Sequence, residues 1–257
     1  MKKFLAVIFA LSLALTFAAC TAEKPVDDEQ TPDDAEVVEG ENEAVDTETE
    51  ADAETEEAKV MTYEEYVAAE LETEVVIDAY VQGKQSWWDN KATVYTQDED
   101  GAYFLYEMAC SEEDYAKLVD GTHILVKGYK AEWEGEVEIT EATFEIIEGE
   151  FVAEALDVTD LLGKDELINH QNKAVAFKGL TVEAIEYKNG GGDDIYLTLG
   201  LDGASYDFCV EYYLTGEDTD VYKTVGELEA GDVVDVEGFL YWYQGANPHI
   251  TAITVVE

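Results

Sequence analysis

From Thr62 onward, apolar and polar positions fall into short runs with two different periods. Thr62-Tyr-Glu-Glu65 has the spacing of a capping box, in which the threonine hydroxyl and the glutamate carboxylate each satisfy a backbone N–H at a helix start. It predicts a helix whose Tyr63, Tyr66, Val67 and Leu71 share one face, because residues three or four apart stack along a helix. The pattern then changes to runs rich in β-branched and aromatic residues, which predict strands near 74–81, 92–97, 102–108, 122–129 and 136–146. Asp100-Gly101 marks a hairpin between the second and third, since both residues accept the left-handed backbone of a tight turn. Ser111-Glu-Glu-Asp114 caps a short helix to Leu118. The same order recurs, with strands near 173–184, 194–201, 204–213, 232–241 and 249–256 and a capped helix near 217–228.

That recurrence is an internal repeat. An offset of 110 residues separates Gly121 from Gly231, Gly128 from Gly238 and Gly135 from Gly245. Asp100-Gly101-Ala102 matches Asp202-Gly203-Ala204 at an offset of 102, so the second copy is longer between its turn and Gly231. Residues 61–150 and 151–257 are therefore expected to be two domains of one kind. Five strands with a helix between the third and fourth is the order of the OB-fold, a partly open Greek-key barrel. The expected fold class is mainly β, with two tandem five-stranded OB-like barrels, each with a short helix between strands 3 and 4. A different small barrel or a sandwich is the structural alternative. In its Gly121-to-Tyr129 and Gly231-to-Phe239 segments, its Lys84-to-Asn90 loop and its Gly238-to-His249 stretch, the chain resembles the tandem OB-like domains of exported lipoproteins from gut-type Firmicutes. The resemblance covers residues 61–257 and implies a fold, not an activity.

Ahead of the repeats the pattern is of another kind. Met1-Lys2-Lys3 is basic, Phe4 to Phe17 is almost uninterrupted apolar sequence, and small residues lead to Cys20. The run is too short to be a good membrane span. Residues 1–20 resemble a bacterial lipoprotein signal peptide, which implies that Cys20 is lipidated and anchors the exported chain to the outer face of the cytoplasmic membrane, at the cell surface. Phe17 departs from the leucine usual in that motif, and an ordinary cleaved signal peptide with Cys20 incidental is the alternative. Residues 21–60 hold 17 acidic side chains against Lys24 and Lys59 and no Trp, Tyr, Phe, Leu or Ile, so they are expected to form an acidic disordered linker.

Charge narrows the partners. The 257 residues include 61 acidic side chains and 14 Lys with no Arg, a formal net charge of -47, which opposes capture of nucleic acid or any other polyanion. OB barrels bind ligands on the face of strands 2 and 3, between the loops joining strands 1–2 and 4–5. Those loops hold the candidate ligand-binding residues: Trp87 and Trp88 flanked by Lys84 and Lys91; Tyr241, Trp242 and Tyr243 followed by His249; and Trp133 at the matching place in the first copy. Such aromatics either stack on sugars, bases or apolar side chains, or close the barrel ends and the contact between copies. Cys110 and Cys209 sit in strand-like apolar contexts as small buried thiols or a disulfide pair. The acidic run Asp98-Glu-Asp100-Gly101 lacks an Asp at position 96, where an EF-hand loop begins, so a hairpin turn explains it and no metal is expected. No nucleophile elbow, P-loop or zinc motif occurs, and no cofactor is implied. The expectation is a non-enzymatic cell-surface binding module for carbohydrate or an envelope protein. The alternatives are single-strand nucleic-acid binding or a structural subunit of an envelope complex, with a hydrolase a distant third.

Overall fold

Thr62 opens the first element as its spacing predicts. Its hydroxyl accepts from the Glu65 N–H at 3.2 Å while Glu65 returns a carboxylate to the Thr62 N–H at 3.0 Å, and α1 (Tyr63–Ala68) follows. The computed structural model describes residues 59–256, so the signal segment with Cys20 and the linker up to residue 58 lie outside the described residues. Helix α1 is shorter than expected. It ends where Lys130, reaching over from a strand, donates its ammonium protons to the carbonyls of Tyr66, Val67 and Ala69 at 3.0, 2.9 and 2.8 Å. This cation on the helix C-terminus satisfies groups that a longer helix would have paired internally. Only Tyr66 of the expected apolar face is buried; Val67 and Leu71 are exposed, because the helix stops before it completes two turns.

The first barrel is made of β1 (Glu74–Lys84), β2 (Lys91–Gln97), β3 (Ala102–Ala109), α2 (Glu112–Tyr115), β4 (Thr122–Trp133) and β5 (Glu136–Glu150). It closes in the order β1-β2-β3-β5-β4, with β4 antiparallel to β1 and a short parallel join between β3 and β5. Alternate residues point inward, so Val75, Ile77, Val94, Leu105, Ile124 and Ile139 fill its interior.

A two-residue strand, β6 (Leu156–Asp157), and two 3-10 turns lead into the second copy. It comprises β7 (Ala174–Tyr187), β8 (Ile195–Leu201), β9 (Ala204–Val210), α3 (Tyr212–Thr215), α4 (Asp220–Val225), β10 (Val233–Phe239) and β11 (His249–Val255). Its strands run β7-β8-β9-β11-β10, pairing of β10 back to β7 closes the ring, and β6 adds beside β7. The helix expected over 217–228 is α4, and a further short helix, α3, stands before it where the third strand is expected to run on to residue 213. The third strand stops at Val210, α3 ends at Gly216 with φ +78°, and Thr219 caps α4 afresh.

The repeated glycines have a steric cause. At Gly128 a Cβ would lie 2.9 Å from the Thr140 carbonyl oxygen, and at Gly238 2.0 Å from that of His249. Both glycines sit beside a bulge where the fourth strand crosses the fifth, and only a residue without a side chain permits that approach. The segments from Gly121 and Gly231 are equivalent fourth strands.

The two barrels meet through an aromatic layer. Tyr95 and Phe104, on the outside of β2 and β3, are covered by Phe239, Tyr241 and His249. The Tyr95 and Phe239 rings stack at 4.3 Å between centroids, and Tyr95 Oη lies 2.9 Å from His249 Nδ1.

Candidate functional site

The outer β2–β3 face of the first barrel, where OB-folds take their ligands, is divided in two. Lys91, Thr93 and Tyr95 on β2 and Phe104 and Tyr106 on β3 point outward. The half bearing Tyr95 and Phe104 lies under the second barrel, while the half bearing Lys91, Thr93 and Tyr106 lines an open groove of about 310 Å³.

Local backbone shapes this groove. Trp88 and Lys91 bracket Asp89 and Asn90, whose φ values of +47° and +59° are those of a two-residue hairpin turn of the primed type. The turn fixes Trp88 beside Lys91 instead of leaving it on a loose loop. Consecutive residues point to opposite sides, and the two tryptophans separate accordingly. Trp87 turns inward, half-buried, with Nε1 donating to the Cys110 carbonyl at 2.9 Å, whereas Trp88 is 67% exposed. Across the groove, Glu107 has φ +48° at a register shift between β2 and β3, and its N–H donates to Thr93 Oγ1 at 3.2 Å. This bulge sets Tyr106 and Glu107 together opposite Thr93. Glu107 then pairs with Lys91 at 2.5 Å, which leaves the groove locally neutral.

The second barrel supplies the remaining wall. Ser86 donates its N–H and its hydroxyl to the Tyr213 carbonyl at 2.7 and 3.1 Å, and Gln85 Nε2 donates to Glu211 at 2.9 Å. Tyr213 is 60% and Tyr106 43% exposed, so three aromatic rings border the groove with Gln85, Ser86, Lys91 and Glu107 as its polar groups. Neither barrel makes this site alone.

Of the residues singled out from sequence, Trp88 and Lys91 line the groove, and Trp87 does not: it is held on the Cys110 carbonyl. Lys84 points elsewhere: it donates to the Tyr115 carbonyl at 2.6 Å and lies 3.8 Å above the Tyr115 ring, and burial draws its pKa down. Tyr241 and His249 stack on each other at 4.3 Å in the aromatic layer between the barrels. The Trp242 N–H donates to Glu136 at 2.8 Å across the same contact. Trp133 and Tyr243, equivalent positions in the two copies, pack together at 5.2 Å where the two strand 4–5 loops touch. Tyr243 also edges a separate cleft of about 490 Å³ on the second barrel, with Tyr196, Thr198 and Asp207. Sequence reading missed Tyr106 and Tyr213. Tyr106 gave a signal as an aromatic on the third strand; Tyr213 gave none, because only the packing of the barrels brings it across.

Burial shifts several groups at the barrel contact. It pushes the Glu136 carboxyl up to about 8 against the pull of hydrogen bonds from Asn172, the Trp242 N–H and Gln171. Glu211 is likewise raised to about 8 by burial and by the charge of Asp194, and Glu138 to about 7 by burial and Glu107. Burial lowers His249 to about 4. Cys110 and Cys209 are buried free thiols, both raised by burial. Asp98 accepts from the N–H groups of Asp100 and Gly101 at 2.7 and 2.6 Å, so the hairpin is closed by an Asx-type turn and not by a left-handed backbone at Asp100 and Gly101. Among the described residues no group of three His, Cys, Asp or Glu side chains is placed to hold a metal ion.

No family model and no curated protein matches the chain. Among solved structures, the chain is similar to asparaginyl-tRNA synthetase from Pyrococcus horikoshii, complexed with asparaginyl-adenylate, at 22% identity over 33% of this chain and 19% of that one, with a TM-score of 0.28. It is also similar to a murine DNA binding protein bound with double-stranded DNA, at 11% identity over 71% of this chain and 95% of that one (TM-score 0.35), and to the Ifi202 HINa domain in complex with 20-bp double-stranded DNA, at 13% over 72% and 96% (TM-score 0.34). The chain spans about a fifth of the length of the synthetase it matches. The OB-like assignment rests on the strand order itself.

Proposed function

We propose that the chain is a non-enzymatic binding module which takes a sugar ring, or a similarly flat neutral group, in the groove between Trp88, Tyr106 and Tyr213. The observation that carries this reading is the convergence of three exposed aromatic rings from both barrels on one locally neutral groove fringed by amide, hydroxyl and paired charged groups. Ring faces provide stacking area, and the polar fringe offers both donors and acceptors to hydroxyls. The basic and apolar residues that lead to Cys20 extend the proposal to an exported lipoprotein anchored through that residue. Among the described residues no helix is long and apolar enough to cross a membrane.

Single-stranded nucleic acid is the second reading, favoured by the OB-like strand order alone. Two features oppose it: half of the first barrel's ligand face lies under Phe239, Tyr241 and His249, and the chain carries -47 with no guanidinium.

A glycan array, with single-stranded oligonucleotide titrations at low and high salt beside it, tests the proposal. Glycan binding lost in Trp88→Ala is the expected result. An empty array, or binding that Trp88→Ala leaves intact, overturns it, and tight, salt-sensitive oligonucleotide binding replaces it with the second reading. Fatty-acid labelling that persists in Cys20→Ala would refute the anchor.

A further inference from the structure

Two carboxyl groups cross the contact between the barrels in opposite senses. Glu136, at the start of β5 in the first barrel, is fully buried, and its Oε2 accepts from the Trp242 N–H of the second barrel at 2.8 Å and from Gln171 Nε2 at 3.2 Å. Glu211, just after β9 in the second barrel, has a side chain only 13% exposed and accepts from Gln85 Nε2 of the first barrel at 2.9 Å. The aromatic layer lies between them, and Tyr95 within it feels the charge of both.

Neither carboxyl has a cation of its own to balance it. Facing Glu136 are Gln171, Asn172 and the Trp242 backbone, with Tyr66 from α1, Tyr95 from β2, Tyr241 and a second carboxyl, Glu138. Facing Glu211 are Gln85, Asp194, Cys209, Tyr95, Tyr241 and His249. Burial keeps that imidazole neutral, and its Nδ1 is engaged with Tyr95 Oη at 2.9 Å. Lys188 is the one ammonium that acts on Glu211 among the described residues, and it is bound to Asp194 at 2.8 Å.

A carboxylate sealed from water without a cation is costly, and such a group takes up a proton instead. Burial accordingly raises both Glu136 and Glu211 to about 8. The hydrogen bonds around Glu136 point the same way. Its Oε1 has no partner, and neither do Asn172 Oδ1 and Tyr66 Oη in the same buried cluster, while Asn172 Nδ2 is engaged by the Val137 carbonyl at 3.1 Å. With Glu136 ionised, the cluster holds two bare acceptor oxygens and a single hydroxyl proton, that of Tyr66. A proton on Oε1 supplies a second donor.

We propose that the barrel contact is an acid latch, closed while Glu136 and Glu211 are uncharged and opening as the two carboxyls ionise. Once the barrels part, both carboxyls meet water and titrate in the ordinary range, so their contribution to closure is complete at low pH and is lost as pH climbs. Opening also withdraws Tyr213 from the Trp88 groove, because the bonds of Ser86 to the Tyr213 carbonyl and of Gln85 to Glu211 are contacts between the barrels.

Native-state hydrogen exchange of the full chain between pH 5 and 8, corrected for the pH dependence of free amides, tests the latch and needs no ligand. The N–H groups of Trp242 and Ser86 donate across the contact. Their opening constants should rise with pH, by up to about tenfold per unit for each carboxyl that loses its proton on opening. Amides of β1 and β8, inside the barrels, should not follow. Glu136→Gln and Glu211→Gln keep a neutral donor and acceptor in place, and each should lower that slope by up to about tenfold per unit. Carbon-13 shifts of the two carboxyls in the parent protein, which do not depend on any variant folding, should show both protonated at pH 6. Either carboxyl ionised at pH 6 overturns the proposal. So does a flat opening constant at Trp242 and Ser86, a slope that both variants leave unchanged, or a rise shared equally by β1 and β8, which would make the titration one of unfolding and not of the contact.

Discussion

Replacing Gly238 by alanine tests the steric reading of the repeat most directly. The new methyl would stand 2.0 Å from the His249 carbonyl oxygen and 2.9 Å from Ile250 Cα, and both obstacles are backbone. Relief needs β10 and β11 to part by about 1 Å at the point where Phe239 and His249 enter the aromatic layer. Over-packing costs typically ~1–3 kcal/mol in side-chain cores, and displaced backbone belongs at the upper end, so about 3 kcal/mol is expected. For a folded unit of this size that is roughly 6–12 °C in melting temperature. Gly128→Ala meets Ile139 Cγ2 at 2.7 Å and the Thr140 oxygen at 2.9 Å, a milder clash with one movable partner, and should cost about 2 kcal/mol. Gly203, with φ +83° and open space around it, provides the control: alanine there pays only left-handed strain, about 1 kcal/mol. Calorimetry of the three variants should rank them Gly238, Gly128, Gly203 in decreasing damage. A Gly238→Ala protein that melts within about 2 °C of the parent would refute the close-approach argument.

The two tryptophans should separate in the same assay: Trp87→Ala, which removes a half-buried ring and its bond to Cys110, should cost about 2–3 kcal/mol, while Trp88→Ala should stay within about 0.5 kcal/mol. Lys130→Met deletes three bonds from a charged donor at the end of α1 and should cost about 2–3 kcal/mol, with faster hydrogen exchange at Tyr66 and Ala69; an unchanged urea midpoint would count against the cap. Stability should also fall as pH rises from 6.5 to 8.5. Glu136, raised from 4.5 to about 8, favours the folded state while protonated, and that contribution is lost as pH passes through its folded value. His123 acts in the same direction. Burial opposes its charge, but hydrogen bonds to Asp78 and to the Glu148 carbonyl outweigh burial and raise its pKa, so its contribution is complete below 6.5 and disappears above the raised value. His249 acts in the opposite direction at the lower end of the window, because burial keeps it neutral in the folded state while the unfolded imidazole is still partly protonated near pH 6.5. Urea midpoints across the window should slope less steeply in Glu136→Gln, and an identical slope would remove Glu136 from the account.

Sequence alone determined the barrels. The capping box at Thr62 and the hairpin at Asp100-Gly101 are local devices, each acting through the backbone of a few neighbouring residues, so their positions in the chain suffice to read them; the glycine pairs were legible through their repetition, although Gly128 and Gly238 act against the adjoining fifth strand. The strand order followed from the repeat. The end of α1 was not legible, because the ammonium that caps it arrives from Lys130, some 60 residues away. Nor were the fates of the aromatics. Trp87 and Trp88 are identical neighbours in composition, and a one-residue alternation on a two-residue turn sends one inward and the other to solvent. Tyr241 and Tyr243 lie two residues apart, yet one stacks on His249 between the barrels and the other meets Trp133 at their rim. Which aromatic surface is consumed by the contact and which is left open depends on how one closed barrel docks on another. That docking is a sum of long-range contacts with no local signal, and it is what brings Tyr213 across to complete the groove at Trp88.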